Sequence, residues 1–328
     1  MSTLSIAEAT GWVAALFARD GCTEENARSV ARALVAAEAD GLKGHGLSRV
    51  PTYLQMLRSG KVDGRASPSA ARTRPGVLAV DAALGFAYPA LDVAVAELPA
   101  LAAGQGVAVA SIHRSNHCGA AGLPCEALAR RGLVALMFAN TPGAIAPWGG
   151  RTPVFGTNPV AFAAPLGERD PAVVDLALSK VARGPIVAAK QRGESIPEDW
   201  ALDADGDPTT DPARALSGTM LPLGGAKGAA LAFAVEVLAA CLPGAHLAFE
   251  ALSFLDGEGP APATGQLLVA LDPGAFGHAR FGERMAALAC AIEVQPGARL
   301  PGSRRLASRA RAAREGVRIP PEVEALAG

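Results

Sequence analysis

From Gly76 onward the chain alternates short apolar runs of strand character with segments of helical period, and that alternation most restricts its fold. Residues 76–81, 106–112 and 133–139 read as strands, with helices predicted at 89–101 and 119–131 between them. Further strands are expected at 159–164, 172–178 and 266–271. A long apolar helix is expected from Ala226 to Leu242, closed by Pro243-Gly244. Strands interleaved with helices predict an α/β lobe.

Upstream, residues 5–40 read as two helices. Ser5 and Glu8 are spaced as a capping box for the first. The second starts at Thr23 as N-cap, repeats apolar residues at Ala27, Val30, Ala31, Leu34, Val35 and Ala37, and ends before Gly41. A third helix is expected over 50–57, and the arginine-rich tail from Arg299 reads as a terminal helix. Pro68, Pro75 and the small residues between 60 and 76 read as a linker and lobe boundary.

The 328 residues suffice for a large core and two lobes, and half of them are hydrophobic. A net charge of −1 gives no reason to expect nucleic acid or an anionic membrane as partner. No apolar run reaches the ~18–20 residues of a membrane span, and the N-terminus does not read as a secretory signal. Five scattered cysteines suit a reduced, cytoplasmic protein.

Chemistry concentrates first between Asp40 and Tyr53, where His45, Ser48, Arg49 and Tyr53 fall within nine residues and glycines flank the histidine. An imidazole moves a proton near neutral pH, and a guanidinium grips a carboxylate with two parallel hydrogen bonds. Arg49 and Tyr53 (i, i+4) would share a helix face. A small acid held by Arg49 beside a proton-donating His45 is the functional reading; a helix C-cap followed by a solvated loop is the plain one.

Elsewhere, His113 and His117 with Cys118 have a spacing that a zinc site could use, but 111–112 is strand-like and no carboxylate is near, so no metal is expected. The same segment, at a strand-to-helix turn with small residues from Gly119 to Gly122, suits either a phosphate or an ordinary tight turn. Gly224-Gly-Ala-Lys-Gly228 lacks P-loop spacing yet sets Lys227 at a helix N-terminus. The loop 147–159 delivers Thr157 and Asn158 to a strand start. Asp203, Asp205, Asp207 and Asp211 around Gly206 read as turn chemistry rather than a calcium loop. A Rossmann fingerprint and a G-x-S-x-G elbow are both missing.

Taken together, the chain resembles the malate/L-lactate dehydrogenase family of the non-Rossmann type. The matching segments are Gly-His-Gly-Leu-Ser-Arg (44–49), Ser-Asn-His-Cys-Gly (115–119), Ala-Pro-Trp-Gly-Gly (146–150), Phe-Gly-Thr-Asn-Pro (155–159), Val-Asp-Leu-Ala-Leu-Ser (174–179), Asp-Gly-Asp-Pro-Thr-Thr-Asp-Pro (205–212) and Pro-Leu-Gly-Gly-Ala-Lys-Gly (222–228). Within the family it looks most like the branch that reduces Δ1-piperideine-2-carboxylate and Δ1-pyrroline-2-carboxylate with NADPH. The resemblance implies an α/β fold other than the classical Rossmann, with a mixed-sheet NADP-binding lobe (76–294). A helical substrate and dimerisation lobe would be built from both termini (1–75 with 295–328), in a homodimer.

By the same resemblance His45 is the proton donor and Arg49 holds the substrate carboxylate, with Tyr53, Thr157, Arg183 and Gly184 assigned to the substrate. NADPH, with NADH as a possible substitute, is assigned His117, Cys118, Gly119, Ala120, Ala121, Asp175, Leu176, Ala177, Ala226, Lys227, Pro301, Gly302, Ser303, Arg304, Arg305, Leu306 and Ala307. Arg304 and Arg305 are expected to meet its 2′-phosphate. Family members commonly carry a serine and an aspartate that polarise the imidazole; here those positions are Gly44 and Pro185. The alternatives are a 2-hydroxy-acid dehydrogenase acting on malate or lactate, and a non-catalytic ligand-binding relative.

Overall fold

The computed structural model describes residues 2–277 and 279–327. Seven strands form its main sheet: β1 (Ser69–Arg74), β2 (Val77–Asp81), β3 (Val107–Ser115), β4 (Val134–Ala139), β5 (Val160–Leu166), β6 (Arg169–Leu176) and β7 (Thr264–Leu271). Their spatial order is β1-β2-β3-β7-β4-β5-β6. β2 and β3 run parallel and every other neighbouring pair is antiparallel. This is the mixed sheet expected, unlike the parallel sheet of a doubly wound dinucleotide fold. β7 arrives from far along the chain and inserts between β3 and β4. Most of its residues are buried, which is why it carries an apolar run from Leu267 to Leu271.

The helices are α1 (Ile6–Arg19), α2 (Glu24–Ala39), α3 (Val50–Arg58), α4 (Ala87–Gln105), α5 (Gly122–Ala129), α6 (Arg183–Arg192), α7 (Pro212–Ser217), α8 (Ala226–Glu236), α9 (Phe281–Glu293) and α10 (Ser303–Glu315). The Ser5/Glu8 capping box is present, and the Thr23 side chain accepts from the Asn26 amide as N-cap. Asp203 accepts from the amides of Asp205 and Asp207, while Asp211 caps α7, so the aspartate cluster is turn chemistry.

Three expectations change, and two helices go unannounced. The segment 60–76 is not a plain linker: it contains β1, an edge strand whose six residues are all exposed and which therefore carries no apolar alternation. The helix expected over 119–131 begins only at Gly122, leaving 116–120 as extended loop. α8 continues past Glu236 as a π-helical turn, Val237–Cys241. α6 and α9 gave no clear signal, since α6 carries Gly184-Pro185 in its first turn and α9 buries Ala289 alone.

Two large apolar clusters result. One lies between the sheet and α4 and α5, around Leu78, Leu98, Ile112, Leu128, Met137 and Leu268. The other joins α1, α2 and α3 to the C-terminal segment through Phe17, Leu34, Leu54, Ala312, Val317 and Ile319. Thr3–Leu4 pairs antiparallel with Val317–Arg318, tying the termini together. We propose these clusters as the cores of the two expected lobes, with β1 assigned to the sheet. No helix among the described residues is long and apolar enough to cross a membrane.

A buried ion cluster locks the end of α2 to α5 and α10. Arg309 donates to both Asp40 oxygens (2.6 and 2.8 Å) and both Glu126 oxygens (2.6 and 2.8 Å), while Arg305 adds a bond to Glu126 (2.6 Å). Burial alone would raise the Glu126 pKa; the Arg309 hydrogen bonds and the Arg305 charge overcome it and hold the carboxyl at about 2. Removing one partner strands buried charge, so Arg309→Met is expected to cost about 3 kcal/mol in urea unfolding at pH 7. Because the folded pKa lies below the ordinary carboxylate value, this contribution is present above that value and is lost as pH falls towards 2. The gap between wild type and variant should therefore narrow over that acid range, and an equal gap throughout would exclude Glu126 as its source.

Candidate active site

α2 ends at Ala39, before Gly41, and two short 3-10 turns, Lys43–His45 and Leu47–Arg49, lead into α3. The fold-back is held by Glu38, whose carboxylate accepts from the Leu47 amide (3.0 Å). A Cβ on Gly46 would strike that carboxylate and the Glu38 backbone, so glycine is required there by close approach. Position 44 is different: a Cβ there would meet nothing within 4 Å. The Ser48 hydroxyl bonds the Lys43 carbonyl (2.6 Å), and Arg49 Nε donates to the Gly44 carbonyl (2.7 Å), which fixes the guanidinium beside the histidine.

The loop after β3 brings His117 to this stretch. Its ring lies 5.6 Å from that of His45, centroid to centroid, and 5.2 Å from Phe254. His45 Nδ1 is buried without a protein partner. Burial, and then the positive charge of Arg49, pushes the His45 pKa down to about 4. His117 is driven well below its ordinary value by burial, Arg49 and His45. Both imidazoles are therefore neutral at pH 7 in the free protein. Burial raises the Cys118 thiol to about 12, so it offers no thiolate nucleophile.

Tyr53 is not open to a ligand. It is buried, and its hydroxyl lies 2.5 Å from His117 Nδ1 and 3.0 Å from the Tyr88 hydroxyl, so it supports the site from behind. Thr157 is placed by a polar knot. Asn158 and Asn140 donate to Glu236 (2.8 and 3.2 Å), as does the Ala248 amide (2.6 Å), and the Thr141 and Thr157 hydroxyls then lie 3.2 Å apart. Arg183 opens α6 beside Gly184 and donates to the Leu216 carbonyl (3.1 Å).

The segments assigned to a nucleotide are brought together. Asp175 accepts from the Gly122 amide at the start of α5 (2.8 Å), with Cys118 to Ala121 buried just before it. The Val173 amide donates to the Pro301 carbonyl (3.3 Å), which sets the residues just before α10 against β6, two positions before Asp175. Beyond Ala177 the strip runs beside 221–223, through bonds Leu223–Leu178 and Lys180–Leu221, to Ala226 and Lys227. α8 and α10 both start without a side-chain cap and carry an exposed cation in the first turn, Lys227 and Arg304. Two uncapped helix N-termini with cations fit the phosphates of a dinucleotide. Arg305 does not join them: it is buried against Glu126 and Asp40, partners too distant in sequence to be foreseen. Tyr88, Phe254, Glu38, Asn140 and Glu236 were missed for the same reason. Tyr88 alone left a trace, as one of two tyrosines in the chain.

The model of the malate/L-lactate dehydrogenase family matches residues 4–327. A (2R)-3-sulfolactate dehydrogenase (NADP(+)) of Chromohalobacter salexigens is 49% identical over 308 residues, 93% of this chain and 91% of the relative. A Δ1-pyrroline-2-carboxylate/Δ1-piperideine-2-carboxylate reductase of Pseudomonas putida is 43% identical over 310 residues, 93% of this chain and 90% of the relative. The crystal structure of a Δ1-piperideine-2-carboxylate reductase from Pseudomonas syringae superposes with a TM-score of 0.94 at 38% identity, covering 99% of each chain.

Proposed function

The chain belongs to the malate/L-lactate dehydrogenase family of oxidoreductases, and from that premise we propose that it reduces cyclic ketimine 2-carboxylates, Δ1-piperideine-2-carboxylate and Δ1-pyrroline-2-carboxylate, with NADPH. The observation that carries the substrate is the guanidinium of Arg49 beside the imidazole pair. Among the described residues, Arg49 is the cation whose charge acts on both His45 and His117. One guanidinium matches one carboxylate, whereas malate and sulfolactate bring two anionic groups. Phe254, packed against His117, offers a flat apolar wall to a ring.

In this reading Arg49 grips the carboxylate and holds C2 in place; such positioning accounts for at most roughly 7–11 kcal/mol of barrier. NADPH, when bound along the strip from Asp175 to Lys227 with Arg304 beyond it, supplies the hydride that C2 receives. His45 gives its proton to the ring nitrogen, so that C=N becomes CH–NH with charge balanced. The Glu236 knot presents Thr157 beside its partner Thr141, and Asp175 keeps the start of α5 in register with β6. The chain is proposed to act as a homodimer.

A second reading, oxidation of a 2-hydroxy acid with NADP+, is favoured by the 49% identity to a sulfolactate dehydrogenase. The two separate in one panel. Turnover of the cyclic imines with NADPH, at kcat/KM above that for sulfolactate, malate and lactate with NADP+, is expected; the reverse order selects the second reading. In the same panel NADPH should exceed NADH in kcat/KM, and a preference for NADH would remove Arg304 as the contact to the 2′-phosphate. Tight cofactor binding without turnover of any acid would leave a non-catalytic relative.

A further inference from the structure

The chain has two tyrosines, and both phenols converge on one histidine. Tyr53 comes from α3 and Tyr88 from the first turn of α4, and with His117 they are buried. Packing alone would be met by phenylalanine. The loop gives up side-chain bulk to admit the second phenol: Gly119 has φ +66°, and a Cβ there would come within 2.6 Å of the Tyr88 hydroxyl.

The hydrogen bonds have a direction. Burial raises Tyr53 to about 12 and Tyr88 well above its ordinary value, so both phenols keep their protons. A neutral imidazole has one donor and one acceptor nitrogen. Of the two directions open to the chain, the one in which Tyr88 donates to Tyr53 and Tyr53 to His117 Nδ1 leaves the imidazole proton on Nε2.

We propose that Tyr53 and Tyr88 are positioning residues whose hydroxyl chain fixes His117 as an Nε2–H donor beside His45. The two rings lie 5.6 Å apart, centroid to centroid, so an Nε2–H on His117 is a second donor, for an oxygen of the substrate carboxylate, beside the imidazole that protonates the ring nitrogen. The chain has glycine at 44 and proline at 185, so a second oriented imidazole takes on the steering that side chains there would give. The kinetic consequence rests on the reductase reading above; the tautomer of His117 does not.

The test is nitrogen-15 NMR of histidine-labelled full-length protein, with kinetics on Tyr53→Phe and Tyr88→Phe. The wild type should show a histidine with an unprotonated, hydrogen-bonded Nδ1 and a protonated Nε2. Tyr53→Phe should move that signal towards mixed tautomers and lower kcat by about 10- to 100-fold, as losing an orienting partner does. Tyr88→Phe, which keeps the direct bond, should shift the signal in the same direction and cost less. Unchanged nitrogen shifts in Tyr53→Phe, or equal losses in both variants that track a fall in Tm, overturn the proposal. If Tyr53→Phe does not fold, the wild-type tautomer and Tyr88→Phe decide it. Should no imine be turned over by the wild type, the reductase reading fails while the nitrogen shifts still judge this one.

Discussion

Replacing His45 with alanine is expected to lower kcat for NADPH-dependent reduction of Δ1-piperideine-2-carboxylate by about 10²–10⁴-fold, the usual worth of a positioned proton donor. NADPH affinity should stay near that of the wild type, because the strip from Asp175 to Lys227 belongs to other elements. The pH dependence follows from the environment. Burial first and Arg49 second hold the His45 pKa at about 4, below the ordinary 6.5. The protonated form that serves reduction is therefore scarce in the free protein at neutral pH, and kcat/KM for the imine should fall as pH rises above about 4. Oxidation of the amine acid needs the neutral imidazole as base, and its profile should rise over the same range. Unaltered kcat in His45→Ala would take the histidine out of the mechanism.

How far the sequence reached depends on the range of the interactions involved. Capping residues act within one turn, so Ser5, Glu8, Thr23 and Asp211 could be read directly and their helices placed closely. β7 announced itself because, covered on both faces, it is apolar from Leu267 to Leu271. β1 could not, since an exposed edge strand carries no such pattern. At the site, His45 and Arg49 stand close in sequence and could be paired from spacing alone. The residues that tune them could not: Tyr88, Phe254 and Glu38 reach the pocket by tertiary packing. Tyr53 and Arg305 show the converse error. Spacing offered Tyr53 to a ligand and the resemblance offered Arg305, and each is instead consumed by a buried partner, His117 for one and the Asp40–Glu126 pair for the other. A polar side chain in a motif is available to a ligand only after the protein's own demands on it are met.

Arg49→Met carries the second large effect, and it tests recognition and proton supply together. The Gly44 carbonyl engages Nε (2.7 Å), not the terminal nitrogens, so the guanidinium is oriented with those two ends for a carboxylate. Truncating one partner of a desolvated charge pair costs about 2–5 kcal/mol, which corresponds to a fall of roughly 30- to several-thousand-fold in kcat/KM. The fall should appear mainly as a raised KM for carboxylate substrates, and an unchanged KM would clear Arg49 of that role. The same cation depresses the His45 pKa, so its removal should move the kcat/KM profile to higher pH, though not to the ordinary histidine value, because burial is the larger cause. A bound carboxylate cancels the cation's charge as removal does, and it adds a negative charge beside the ring. Binding of a carboxylate that cannot be reduced, such as pyrrole-2-carboxylate, should therefore draw a fraction of a proton from solution in the wild type. Calorimetry in buffers of different ionisation enthalpy reads that uptake directly. Uptake that persists undiminished in Arg49→Met, or that vanishes in the wild type, would separate substrate binding from the arming of His45.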